Sequence, residues 1–169
     1  AQRVAGYRNF ATKLWNASRF AEMNGCALPP NFDPSKAKET LNRWIAHETA
    51  RAAREVTEAI EAYRFNDAAG IVYRFVWNIY CDWYLELAKP VMMGADSAAK
   101  KETQAMVAWA RDEIVKLLHP FMPFITEELW ALTVEGGKPR DNLLAPAQWP
   151  TYKDLAEDAA EHEIGWVGD

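Results

Sequence analysis

The sequence predicts an all-α fold, a helical bundle of about five helices with a long packed C-terminal loop and a short terminal helix. Three observations lead there. Apolar residues recur at i, i+3, i+4 and i+7 over long windows, proline and glycine punctuate those windows, and no stretch alternates as a half-buried strand would. At 169 residues, half of them hydrophobic, the chain is long enough for one real core and too short for two. The bundle is expected over residues 1–133. Residues 134–169 are expected to belong to the same domain, as an irregular segment packing back on the bundle followed by an acidic terminal helix.

The first helix is predicted from about Gln2 to Met23, with Val4, Tyr7, Phe10, Ala11, Leu14, Ser18 and Ala21 as its inward stripe. Asn24-Gly25 ends it, and Leu28-Pro29-Pro30-Asn31-Phe32 forms an extended connector. Asp33-Pro34 pairs an N-cap residue with proline at the first helical position, so a second helix should follow to about Tyr63. Its inward positions are Leu41, Ile45, Ala52, Val56, Ile60 and Tyr63. Asn66 offers the next cap, for a helix from about Asp67 to Ala88 that returns antiparallel and is stopped by Lys89-Pro90. A loop through Gly94-Ala95-Asp96-Ser97 leads to a helix from about Ala98 to Leu118, with Met106, Trp109, Val115, Leu117 and Leu118 inward. His119-Pro120 closes it, because a residue before proline is pushed out of the α region. Pro123 opens a short fifth helix ending near Thr133.

The segment from about Val134 to Pro150 is irregular and holds Gly136-Gly137, Pro139, Pro146 and Pro150, and Leu143, Leu144 and Trp149 favour its packing back on the body. A terminal helix over about Lys153 to Trp166 has a poor apolar face. The first residue begins almost directly inside a helix, as expected of a segment taken from a larger protein.

The formal charge of −5 argues against a general nucleic-acid binder, since non-specific binding is mainly phosphate neutralisation. The distribution says more. Residues through Arg140 sum to +1 and residues 141–169 to −6, so a partner anion would meet a local patch on the body, away from the tail. The most cationic window is the first helix, where Arg3, Arg8, Lys13 and Arg19 precede any acid. Asn9, Thr12, Lys13, Asn16 and Phe20 project from the side opposite the packing stripe. Amides suit base edges, cations suit phosphates and an aromatic ring suits stacking, which makes this face a candidate RNA contact.

Catalytic constellations do not emerge. His47, His119 and His162 share no metal-ligand spacing with one another or with Cys26 and Cys81, and no phosphate-cradling glycine loop, nucleophile elbow or dinucleotide fingerprint is present. No catalytic or metal-binding residue is therefore assigned, and no cofactor is expected in this segment. Two cysteines and no secretory signal point to a reducing, cytoplasmic setting. Arg74, Asn78, Asp82 and Glu86 interrupt the apolar run Ile71–Ala88 every fourth residue, so it reads as a buried helix with one polar stripe, and no membrane partner is expected. Asp82, on an otherwise apolar helix, should need a partner such as Arg74, Arg111 or an indole N–H.

Three segments carry a family resemblance. Gly6-Tyr7-Arg8-Asn9-Phe10 with Lys13-Leu14-Trp15-Asn16-Ala17-Ser18-Arg19-Phe20 is the first. Phe75-Val76-Trp77-Asn78 with Cys81-Asp82-Trp83-Tyr84-Leu85-Glu86-Leu87-Ala88-Lys89-Pro90 is the second, and the run from His119-Pro120 to Leu129-Trp130 is the third. Together they resemble the anticodon-binding domain of the bacterial valyl-tRNA synthetase family, over essentially the whole chain. The third segment is shared with other synthetases for branched aliphatic amino acids; the first two look specific to the valine branch. The family's HIGH-like and KMSKS-like signatures, editing domain and coiled coil have no counterpart here, so this segment is expected neither to activate valine nor to hydrolyse mischarged tRNA.

The resemblance implies a valine-tRNA ligase that uses ATP and magnesium, with this domain holding the anticodon arm of valine tRNA and the catalytic and editing domains of the same chain as its other partners. A monomer is implied. Valine anticodons carry adenine in the middle and cytosine third, in a single-stranded loop whose bases can be splayed and read. Asn9 and Asn16 are then the expected edge readers, Phe20 a stacking platform, and Arg3, Arg8, Lys13 and Arg19 phosphate contacts. The homologous isoleucyl domain, which would prefer uracil in the third position, is a near alternative. A helical protein-interaction module is an alternative of another class.

Overall fold

The structure, a computed structural model, describes residues 2–136, 138–152 and 155, with side chains from residue 6 onward. Helix α1 spans Gln2–Met23, a short 3-10 turn Pro34–Lys36 follows, and α2 spans Thr40–Glu61. A long rod is made of α3 (Phe65–Arg74), a π-helical run (Phe75–Tyr84) and α4 (Leu85–Met92). Helix α5 (Ala98–Leu118), α6 (Pro123–Ala131) and a two-residue hairpin, β1 (Val134–Glu135) with β2 (Lys138–Pro139), complete the described elements. The fold is mostly α-helical, as the sequence predicts. Among the described residues no helix is long and apolar enough to cross a membrane.

Helices α1 and α5 keep their predicted bounds because each has an unambiguous terminus. Gly25 sits at φ +69°, the left-handed conformation that ends α1, and the Cys26 N–H bonds back to the Ala21 carbonyl at 2.9 Å. At the start of α5 the Ser97 hydroxyl accepts the Lys100 N–H at 3.1 Å. All five predicted inward residues of α5 are buried.

Helix α2 departs from expectation at both ends. Asp33 does cap, accepting the Ser35 N–H at 3.0 Å, but what it caps is the 3-10 turn, and α2 starts only at Thr40. The Glu102 carboxylate accepts the N–H groups of Lys38 and Glu39, each at 3.0 Å, and so supplies from α5 the partners that the start of α2 needs. At the far end Tyr63 has φ +58° and its ring is exposed, because it forms the turn and is not part of the helix.

The rod departs further. It starts at Phe65 after Arg64, two residues before the predicted Asp67, and runs through Lys89-Pro90 to Met92. Pro90 is tolerated because only two more helical residues follow it and Glu86, the residue four back whose carbonyl loses its N–H partner, is exposed. Its centre is π-helical; the Leu85 N–H bonds to the Tyr80 carbonyl, five residues back. The burial pattern explains why. Phe75, Val76, Tyr80, Cys81, Tyr84 and Leu85 are all buried, and at 3.6 residues per turn they would spread over most of the circumference. A wider turn gathers them on one face and leaves Arg74, Asn78, Asp82 and Glu86 on the other, all exposed.

The buried tyrosines of the π run meet polar acceptors deep in the core. Tyr80 Oη donates to the Val107 carbonyl at 3.1 Å, and Tyr84 Oη to Asn42 Oδ1 at 2.8 Å. Asn42 passes its own N–H groups to Glu102 Oε1 and Thr103 Oγ1, each at 3.0 Å. This network ties the rod, α2 and α5 together, and Trp44, Ile45, Met106, Ile114 and Leu117 pack around it.

The C-terminal segment does pack back. The Arg140 side chain, 2 % exposed, donates to Asp112 Oδ2 at 2.6 Å and lies 3.5 Å over the Trp130 ring. Glu127 accepts the N–H groups of Leu144 at 2.8 Å and Ala145 at 2.9 Å, Trp149 Nε1 donates to Thr57 Oγ1 at 2.8 Å, and Tyr152 Oη bonds Glu113. Of the two leucines expected to anchor it, Leu144 is buried and Leu143 is exposed; the strap turns at Leu144, whose carbonyl accepts the Ala147 N–H at 2.8 Å. The predicted helix over 153–166 lies outside the described residues, apart from Leu155.

Burial pushes the Cys26 thiol from 9.0 to about 11 and the Cys81 thiol from 9.0 to about 12, and raises Tyr80 and Tyr84 as well. The unfolded chain therefore loses these protons first. Stability is full below pH 9.0 and falls as pH rises toward the folded values, by about 1.4 kcal/mol per pH unit for each thiol inside its window. Urea unfolding at pH values from about 8 to about 10.5, which bracket the onset of this window, should show the midpoint holding steady and then dropping, with a shallower drop in Cys81→Ala.

Candidate nucleic-acid interface

Helix α1 buries Phe10, Leu14, Ala17 and Ala21, a stripe that includes Ala17 and leaves the expected Tyr7 exposed. Successive residues are about 100° apart around the axis, so Asn9, Lys13, Asn16 and Phe20 fall within about 60° of one another. They form one ridge next to the buried stripe. Arg8, Thr12 and Arg19 form a second ridge farther out, and all three are exposed. Thr12 Oγ1 donates to the Arg8 carbonyl at 2.9 Å, which occupies its hydroxyl on its own helix.

The ridge runs alongside the rod, and contacts at Phe10, Lys13 and Phe20 meet the rod at successively later residues, so the two helices are parallel. Phe10 stacks on Tyr73 with centroids 4.8 Å apart, and Tyr73 stacks on Trp77 at 5.6 Å. Lys13 Nζ lies 4.1 Å over the Trp77 ring and forms an ion pair with Asp82. Farther along, Lys89 Nζ lies 5.6 Å over the Phe20 ring while it pairs with Glu86 Oε1 at 2.6 Å.

The predicted site residues thus separate. Lys13 and Phe20 are half-buried and held against the rod; Arg8, Asn9, Asn16 and Arg19 are exposed. Among the described residues none bonds the side-chain amides of Asn9 or Asn16, so both are open to an incoming donor and acceptor pair. Arg3 lies in the first turn of α1, and its side chain is outside the described part. Asp82 does have a partner, but it is Lys13 of α1 and not Arg74, Arg111 or an indole, because the π run turns Asp82 outward to 48 % exposure.

Sequence reasoning missed Tyr73, Trp77 and Lys89 as parts of this surface. The polar stripe at Arg74, Asn78, Asp82 and Glu86 was the available signal, since it marks the rod's outward face. Which helix that face adjoins is a tertiary fact. On the far flank of α1, Trp15, Ser18, Arg19 and Glu22 border a cleft of about 210 Å³ that reaches the buried Arg111.

Comparison with known proteins finds relatives of this chain. Residues 42–169 match the family described as the anticodon-binding domain of tRNA ligase. A valine-tRNA ligase of Bradyrhizobium diazoefficiens is 78 % identical over 99 % of this chain and 21 % of its own length. One of Rhodopseudomonas palustris is 63 % identical over 99 % of this chain and 20 % of its own, and one of Brucella suis 60 % identical over 99 % and 18 %. The chain spans about a fifth of the length of the curated relatives it matches. Helix α1, with the amide ridge, precedes the family match but lies within the stretch shared with these relatives.

The Lys13–Asp82 pair is partly open to water, with side chains 27 % and 48 % exposed, so its attraction is screened. Asp82→Asn should cost no more than about 1 kcal/mol of unfolding free energy. Trp77→Ala, which removes the ring shared by Lys13 and the aromatic stack, should cost clearly more in the same urea titration. The reverse order would mean that the ion pair, and not the stack, joins the two helices.

Proposed function

The chain belongs to the anticodon-binding domain family of tRNA ligases, and from that premise we propose that it reads the anticodon arm of valine tRNA on behalf of a longer, cytoplasmic valine-tRNA ligase. The observation that carries the reading is the ridge with two open amides, Asn9 and Asn16, beside the Lys89-backed ring of Phe20. Adenine offers a donor and an acceptor that one carboxamide can match, and the amino group of cytosine can donate to an amide oxygen. Phe20 is a platform of the kind on which an unstacked loop base settles. Arg8 and Arg19, with Arg3, supply phosphate contacts that fix register without reading sequence.

Lys13 enters this scheme differently from the arginines. Its ammonium is already satisfied by Asp82 and Trp77, so a phosphate must replace or share the carboxylate. Its contribution is therefore smaller than that of a free cation, and part of its role is to hold α1 at a fixed height on the rod.

The reaction of the whole ligase, attachment of valine to the tRNA 3′ end with ATP and magnesium, belongs to parts of that enzyme outside this chain. Anticodon contact contributes to it through orientation: loss of the contact should depress aminoacylation and leave adenylate formation intact.

Titrating the chain with anticodon stem-loops that differ only in the third anticodon base, at two salt concentrations, tests the reading. Cytosine should bind more tightly than uracil, and Asn9→Ala or Asn16→Ala should weaken the cognate complex by about 1–3 kcal/mol where the amide makes a paired base contact. Equal binding of both bases with a steep salt dependence would reduce the ridge to an electrostatic dock. Tighter binding of the uracil version would move the assignment to isoleucine tRNA.

A further inference from the structure

The end of the bundle where α1 begins carries apolar surface that the RNA-facing ridge does not use. Phe124 is 90 % exposed, Tyr63 82 % and Tyr7 65 %. A groove of about 840 Å³ runs between α1, α3 and the α5–α6 elbow, lined by Tyr7, Phe10, Tyr73, Phe121, Met122 and Phe124 among others, and no charged residue lines it. A second groove of about 560 Å³ shares Pro120 and Phe121 with the first and continues it past Phe65 to Trp149, with Glu61 as its one charged lining residue. Single exposed rings are ordinary; a continuous aromatic belt is not.

RNA is a poor occupant for it. The lining offers no cation for phosphate and no amide for a base edge, and its one charge is negative. A folded apolar protein surface fits. The relatives named above keep about four fifths of their length outside the stretch they share with this chain, so such a surface is available on the same polypeptide. We propose that this belt is the seat on which an apolar surface from the rest of the ligase chain docks; the proposal rests on the functional reading above. Phe10 and Tyr73 line the groove and also stack toward Trp77 beneath Lys13, so the seat and the RNA-reading ridge share a wall.

The two native thiols are buried and strongly protonated, which gives a quiet background for thiol labelling. Phe124→Cys and Tyr7→Cys are labelled in the 169-residue chain and in the same chain spliced into the full-length Bradyrhizobium diazoefficiens ligase, with sites read by peptide mass. Asp96→Cys, in the exposed loop at the opposite end, sets the reference rate. Positions 124 and 7 should label freely in the chain alone and about tenfold or more slowly in the full-length enzyme. Equal rates in the two settings would overturn the proposal. So would slowing in the isolated chain by an anticodon stem-loop, which would make the belt an RNA surface, or slowing with rising chain concentration, which would make it a self-association face. No RNA is needed for the labelling, so a failure of anticodon reading shows in the stem-loop titration and not here.

Discussion

The widened turn over Phe75–Tyr84 is the constraint on which the rest of the bundle depends. Five large or medium apolar side chains in that stretch, with Leu85 just after it, are buried at spacings an α-helix would scatter around its axis, and only an i→i−5 ladder brings them to one side. Once they are gathered, the hydroxyls of Tyr80 and Tyr84 arrive in the core, where a missing acceptor would be costly. Asn42 of α2 and the Val107 carbonyl of α5 receive them. The position of α2 is fixed by the same network, since Asn42 and the N–H groups just before α2 share the Glu102 carboxylate. The same turn sets Asp82 where Lys13 can meet it.

Burial of charge follows a similar logic at the other side of the molecule. Arg111, Asp112 and Arg140 form a nearly dry cluster, with Arg111 Nη2 at 3.1 Å and Arg140 Nη2 at 2.6 Å from the shared carboxylate. Such a cluster adds little net stability over an apolar replacement, while removal of Asp112 leaves two buried cations without their shared partner. Its effect is to permit one path for the C-terminal strap, because Arg140 reaches Asp112 only when the chain after α6 turns through the hairpin and lies over Trp130. The scaffold behind α1 is thus held from the rod and from the strap. The ridge above it presents its amides from a helix and not from a loop, which favours a fixed spacing between Asn9 and Asn16.

Much of this was legible in the sequence, and the misses have physical causes. Helices α1 and α5 were readable because Asn24-Gly25 and Ser97 act through local geometry that needs no tertiary partner. The start of α2 was misplaced because Asp33-Pro34 caps equally well whether a 3-10 turn or an α-helix follows, and the choice was made by Glu102, far away in sequence. The π run was misread as an α-helix because its polar stripe, every fourth residue, fits an α-helix as well as a wider turn. At the interface, the residue types and the helix that carries them were visible in α1 alone. The pairing of Lys13 with Asp82 and of Phe20 with Lys89 was not, since neither helix records which neighbour it will lie against.

A π turn can be regarded as an α-helix that has taken in one extra residue, which gives the rod an unusual relation to insertion and deletion. Deleting one residue between Phe75 and Tyr84 would leave a sound, even more regular helix. Everything beyond the deletion would nevertheless swing by about 100° and slide back by about 1.5 Å, carrying Lys89 off Phe20 and Tyr84 away from Asn42. The length of this helix is therefore held fixed by neighbours on two sides, more tightly than the identity of its exposed residues Arg74 and Asn78. Register within the rod, more than any single side chain, is what holds these contacts in place.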